Sequence, residues 1–258
     1  MSDSGERTSS RKVFFLFIPR ESEEKIVRRL VALEFEAYAL FDDEAKRYLP
    51  AIGKITGAVI FSYIREGEEN SVWNGCFGEL SSASDVTDQI ISTWIGGGGY
   101  LTLDRERSNA AFPFQRVDTS ERSSGIVDRI ATFLSAVHAK GNRMHLRVPC
   151  GESCMASFSI RRLGRNYSGK IFDISSFGMA CVFNADIELK IHLFIDDVQL
   201  RLSGQSYGIA GSITAKRVID GRSVYVIVFD FRDDAEAYEA VKDFVYHSLQ
   251  RNFRAQNA

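Results

Sequence analysis

Paired cysteines are missing from this 258-residue chain. Its four cysteines, Cys76, Cys150, Cys154 and Cys181, form no CxxC motif. Cys150 and Cys154 offer two thiols, and only His145 stands near enough in sequence to join them. Three candidates without a second pair fall short of a structural zinc site, so no metal is expected and the thiols read as buried or partly exposed. An excess of either charge is missing too. The 32 Lys and Arg stand against 34 Asp and Glu, for a net charge of -2. That balance argues against bulk nucleic-acid binding, so no DNA partner is expected. No run approaches the roughly 20 apolar residues that span a bilayer. The longest, from Val13 to Ile18, has the length of a strand. The opening residues MSDSGERTSSRK lack the apolar stretch of a secretion signal. The expectation is a cytoplasmic protein with reduced thiols and no transmembrane segment. No repeat recurs at a fixed period. His138, His192 and His247 fall within helix or strand patterns with no catalytic partner in view, so no enzyme is expected. What the chain does have is 45% hydrophobic and 26% charged residues, enough to build a globular core.

The pattern changes once along the chain. Residues 1–12 are polar and read as a disordered tail. From 13 to 121 the reading is an α/β domain. Val13 to Ile18 is a strand buried on both faces, closed by Pro19. Glu23 and Glu24 open an amphipathic helix carrying Ile26, Val27, Leu30, Val31 and Leu33. Ala37 to Phe41 is a second strand, Asp43 to Leu49 a short helix and Ala58 to Ile64 a third strand. This alternation predicts a parallel-type sheet. Ser84 to Ile95 reads as a helix stopped by Gly96 to Gly99, and Tyr100 to Leu103 as a strand. Residues 122–142 hold an amphipathic helix, with Ile126, Ile130, Phe133 and Val137 on one face, and a linker at Gly141. Asp42 and Asp43 suggest the acidic pair of a phosphate receiver, but the third strand ends in Ser62 and Tyr63 where a receiver places its aspartate; a helix-capping or solvated role fits better.

Beyond the linker, eight short strand-like runs follow: 145–148, 154–160, 169–174, 179–183, 191–195, 199–202, 210–217 and 223–231. Gly, Asn, Asp and Ser punctuate them. They predict a small antiparallel barrel closed by a helix over about 234–254, with Tyr238, Val241, Val245 and Leu249 packing inward. The fold class is therefore α+β overall, with an α/β domain followed by an antiparallel barrel.

Two motifs bracket the first strands of that barrel. Arg143 and Arg147 make an RxxxR motif, and Asp173-Ile174-Ser175-Ser176-Phe177-Gly178 makes a DxSxxG motif. Neither alone is specific, because surface arginines and Asp-Ser-Gly turns are common. In this order, with strands between them and a closing helix after, the sequence over roughly 141–254 resembles the PilZ family. The resemblance implies a domain over 143–258 that binds cyclic di-GMP without catalysis. It also implies roles. Arg143 and Arg147 clamp the ligand, since a guanidinium fork matches phosphate oxygens and the guanine O6/N7 edge. Asp173 accepts from guanine, and Ser175 donates to a phosphate or holds the turn. Gly178 leaves room for close approach and permits positive φ. Asn142 and Ser176 are further candidates beside the motifs. Arg161, Arg162 and Arg165 read as a solvated hairpin.

The expected protein is a cyclic di-GMP receptor with no other cofactor. Ligand binding would reorient its domains about Gly141 and Asn142, and the N-terminal domain would engage an unknown protein partner in motility, adhesion or virulence signalling. The alternatives are an interaction scaffold whose ligand binding is vestigial, and a degenerate receiver-like protein.

Overall fold

The computed structural model describes residues 10–64, 90–95, 101–103, 123–140, 144–151, 154–162, 164–232 and 234–257. The chain divides into two compact units, one of residues 1–144 with 253–258 and one of 145–252.

The first unit is built on a sheet in the order β2-β1-β3-β4-β5. Its strands are β1 (Val13–Leu16), β2 (Ala37–Leu40), β3 (Val59–Ile64), β4 (Ile90–Ile95) and β5 (Leu101–Leu103). The first four run parallel and β5 is antiparallel. β1 is fully buried, as its unbroken apolar run requires of a strand covered on both faces. Side chains alternate across it. Phe14 points to a face where it stacks on Tyr38 at 5.1 Å and meets Phe253 at 5.2 Å; Phe15 points to the other, stacked on Phe61 at 4.8 Å. Helix α1 is assembled from Arg20–Ser22, a π-type stretch Glu23–Arg28 and Arg29–Ala32. It buries Ile26, Val27, Leu30 and Val31 as the spacing predicts, whereas Leu33 lies past its end and is exposed. Helix α2 (Asp42–Ile52) opens with Asp42, Asp43 and Glu44 in its first turn, where the helix dipole favours negative charge. Helix α3 (Ser123–Ala136) lays Phe133 edge-on against Phe61.

The expected helix over 84–95 is corrected in part. Residues 90–95 form β4, a run of β-branched and aromatic residues that suits a strand, while 84–89 and the glycines 96–99 lie outside the described residues.

Phe253 and Arg254 complete this unit. Phe253 is buried among Phe14, Tyr38 and Tyr48. Arg254 grips both carboxylate oxygens of Glu44, at 2.9 and 3.0 Å, and donates to the Ala39 carbonyl. Burial pushes the Glu44 carboxyl upward, but the hydrogen bonds and charge of Arg254 outweigh it and hold the group below its ordinary value. A lowered folded value means that stability is present above the unfolded pKa and lost as pH falls through the folded one. Wild type and Glu44→Gln should therefore differ in urea denaturation at neutral pH and converge below pH 4; coincident stabilities at neutral pH, or a difference that stays constant down to pH 3, would show that the ionised pair contributes nothing.

The second unit is an antiparallel barrel. Its strands are β6 (Val148–Pro149), β7 (Ala156–Arg162), β8 (Arg165–Ser175), β9 (Gly178–Phe183), β10 (Phe194–Leu202), β11 (Gln205–Ile219) and β12 (Arg222–Asp230). They follow the order β6-β8-β7-β10-β11-β12-β9, and a β8–β9 pairing closes six of them on themselves, with β6 added beside β8. Closure removes exposed strand edges. The expected run 191–195 contributes only its last two residues to a strand, which continues through the expected run 199–202 as β10; residues 191–193 precede it, and an irregularity between Ile195 and Val198 broke the alternation in the sequence. The expected 145–148 strand shrinks to Val148–Pro149. Inside lie Ile174, Met179, Cys181, Val198, Leu200, Ile213 and Ile227. Tyr225 is also buried, its hydroxyl donating to the Ile187 carbonyl and accepting from Leu189 N–H.

Helix α4 (Ala235–Gln256) is capped by the Asp234 carboxylate, which accepts from Ala237 N–H at 2.9 Å. Val241, Val245 and Leu249 are buried as expected; Tyr238 is exposed instead, on the turn that begins the helix, edge-on to Phe231.

Candidate functional site

The site forms where β6 lies along the end of β8. Val148 pairs with Ile174 and Pro149 with Asp173. This antiparallel contact carries residues 144–147 of the RxxxR motif past the DxSxxG motif. The Arg147 guanidinium stands 3.7 Å from the Asp173 carboxylate. The arginine side chain is 49% exposed and the aspartate 33%, so both remain open to a ligand. An ion pair this exposed is worth no more than about 1 kcal/mol, too little to be the reason for two adjacent charges on a barrel rim.

Asp173 reaches the surface because β8 is irregular. Its pairing with β9 shifts between Ile171 and Asp173. Under strict alternation Asp173 would share the buried face of Ile171. The extra residue turns Asp173 outward and gives the inward place to Ile174, which is fully buried. Nothing in the sequence announced this bulge. Phe172 is the residue it leaves exposed.

The turn from β8 to β9 is fixed by Ser175. Its hydroxyl is buried, accepts from Phe177 N–H and Gly178 N–H at 3.2 Å each, and donates to the Gly178 carbonyl at 3.1 Å. Of the two roles expected for Ser175, holding the turn is the one this geometry displays. Ser176 and Phe177 form the turn itself.

Gly178 departs from expectation in one respect. Its φ is not in the left-handed region. The close approach it permits is to the chain's own β12, where a Cβ would lie 2.4 Å from the Ile227 carbonyl oxygen.

Two residues that sequence reasoning gave no site role lock the motifs together. His145, inside RxxxR, stacks flat on Phe177, inside DxSxxG, at 4.4 Å between ring centroids and 9° between planes. In the sequence His145 offers itself only as a third metal ligand beside Cys150 and Cys154. Among the described residues no cluster of three metal-binding side chains exists. Arg143 and Asn142 lie outside the described residues. The hairpin arginines are remote. Arg165 sits eight residues before Asp173 on β8, roughly 26 Å away at about 3.3 Å per residue.

The two motifs thus meet on the rim of a closed six-stranded antiparallel barrel followed by a helix, the architecture that the family resemblance implied. No family model matches the chain, and no curated relative does. Solved structures do, at low identity. The PilZ domain of YcgR from Escherichia coli with c-di-GMP is 15% identical over 45% of this chain and 96% of that one, with a TM-score of 0.37. The K. pneumonia MrkH–c-di-GMP complex is 20% identical over 44% of this chain and 54% of that one, with a TM-score of 0.38. The Bacillus subtilis inhibitor of motility MotI/DgrA is 10% identical over 58% of this chain and 56% of that one, with a TM-score of 0.34. The chain spans about half the length of MrkH. No described helix is long and apolar enough to cross a membrane.

Proposed function

We propose that the PilZ-like unit is a non-catalytic cyclic di-GMP receptor. One observation carries this reading: Arg147 and Asp173, 26 residues apart, face each other half exposed on a rim that the β8 bulge and the Ser175 turn hold in place. In the proposed complex the Arg147 fork takes a phosphate or a guanine O6/N7 edge, and Asp173 accepts from guanine N–H donors. Arg143 joins from the same motif, with Asn142 and Ser176 beside it. The ligand is the only small molecule the reading needs. The YcgR PilZ domain and MrkH, each solved with c-di-GMP, agree with it.

The first unit is proposed as the output module, acting on a protein partner in motility, adhesion or virulence signalling when ligand changes its arrangement with the second. A ligand drives such a change only through different affinities for the two arrangements. The balanced charge of the chain favours a protein over DNA as that partner. The chain is proposed to act in the cytoplasm, where the second messenger is made. Isothermal titration of the full chain with cyclic di-GMP tests the core of this proposal. Saturable binding at micromolar ligand is expected; no heat and no saturation at 100-fold excess over protein would overturn it.

A further inference from the structure

A pair of thiols sits against the proposed site and has no part in it. Cys150 follows Pro149, the residue paired with Asp173, and its N–H donates to the Phe172 carbonyl at 2.7 Å. Cys154 N–H donates to the Gly151 carbonyl at 3.0 Å. The two side chains hydrogen-bond to each other, and both are partly exposed free thiols. Helix α4 steadies this loop: Asn252 donates to the Pro149 carbonyl at 2.9 Å, and the positive charge of Arg251 acts on Cys154. We propose that Cys150 and Cys154 form a dithiol that hydroperoxides oxidise to an intramolecular disulfide, and that this bond disturbs β6 and weakens ligand binding at Asp173.

The chemistry of the two sulfurs is unequal in the useful sense. The hydrogen bond from Cys150 holds Cys154 down to about 7, against burial and with help from Ala156 N–H and Arg251. Cys150 is pushed up, by that same hydrogen bond, then burial, then the charges of Cys154 and Asp173. The Ala156 N–H and the Arg251 charge, which act on Cys154 and not on Cys150, make Cys154 the thiolate that reacts in this proposal and Cys150 the thiol that resolves. The Cys154 sulfur attacks one peroxide oxygen and the O–O bond breaks. The leaving hydroxide, or alkoxide, takes up a proton, and Cys154 becomes a sulfenic acid. The Cys150 sulfur then attacks the Cys154 sulfur. The S–O bond breaks, and the departing hydroxide leaves as water with the Cys150 proton. Two thiols lose two electrons and one peroxide gains them. A disulfide is about 2.05 Å long, well inside a thiol–thiol hydrogen bond, so closure pulls on Cys150. The nearest structure to yield is the two-residue strand β6 and its pairing with Ile174 and Asp173. Buried Cys181, pushed up to about 12 by burial, has no such partner thiol among the described residues and should stay unreacted.

The effect on binding rests on the receptor reading; the disulfide does not, and the test keeps them apart. The reduced full chain is treated with hydrogen peroxide at equal concentration, digested and mapped by mass. A linked Cys150–Cys154 peptide lacking two hydrogen atoms is expected. Sulfinic acid at Cys154, linkage to Cys76, linkage between chains or no reaction would each overturn the dithiol. Cyclic di-GMP is then titrated into both redox forms of wild type and of Cys154→Ser. Oxidised wild type should bind about tenfold more weakly, the loss of one charge-assisted hydrogen bond, and Cys154→Ser should bind equally with and without peroxide. A disulfide that forms while affinity holds refutes the coupling. If neither reduced nor oxidised protein binds, the receptor reading and the coupling to it fall, and the mass map alone decides the dithiol.

Discussion

Gly178→Ala will destabilise the barrel before it says anything about ligand. The added carbon would stand 2.4 Å from the Ile227 carbonyl oxygen and 3.1 Å from Val228 Cα. Both are backbone atoms of the strand that Gly178 pairs with, so neither can rotate away. Relief requires β9 and β12 to part at a seam that closes the barrel. Overpacking against backbone of this kind costs about 3 kcal/mol or more. For a unit of this size that is roughly 12–24 °C in melting temperature. Gly169→Ala is the control. It meets the backbone of Val182 more closely still, on the neighbouring β8–β9 seam and away from the motif. Circular dichroism melts of the two variants should fall together. A Gly178→Ala protein that melts like wild type and fails to bind would instead place the glycine in the service of the ligand.

This separates what the sequence could reveal from what it could not. β1 and the parallel strands around it were legible because burial on both faces leaves an unbroken apolar run, and α1 because its apolar spacing follows the helical period. β4 was misread because Ile90-Ile91-Ser92-Thr93-Trp94-Ile95 is short and apolar enough to fit either period, and the glycines beyond it look like a helix stop. The barrel was legible as a class, but its seams were not. An irregularity in β10 split one strand into two apparent runs. The β8 bulge hid which face Asp173 takes. The motif residues Arg147, Asp173 and Ser175 could be picked out because their order is unusual. The stack of His145 on Phe177 could not, since it depends on a pairing between β6 and β8 that only two residues make.

Arg147→Ala should abolish most cyclic di-GMP binding while leaving the fold intact. The side chain is half exposed, and its described ion pair, to Asp173 at 3.7 Å, is too open to matter for stability. Loss of an exposed pair costs no more than about 1 kcal/mol. Loss of a guanidinium fork on a phosphate or a guanine edge removes two charge-assisted bonds, about 3 kcal/mol or more, which is roughly 150-fold in affinity. The two readouts therefore diverge: melting temperature near wild type, dissociation constant raised by two orders of magnitude. Arg147→Lys keeps the charge without the fork, so it should recover only part of the loss. Asp173→Asn acts on the same pair from the other side. It removes the carboxylate that faces Arg147 and that, in the proposed complex, accepts from guanine, so it should weaken binding in a reduced protein whose thiols are untouched. The two residues share one ligand, so their effects should not add, and the double variant should bind no worse than the sum of the singles predicts. If Arg147→Ala binds like wild type, the proximity of Arg147 to Asp173 is only a surface ion pair, and the barrel is a docking scaffold whose work is done by protein contacts alone.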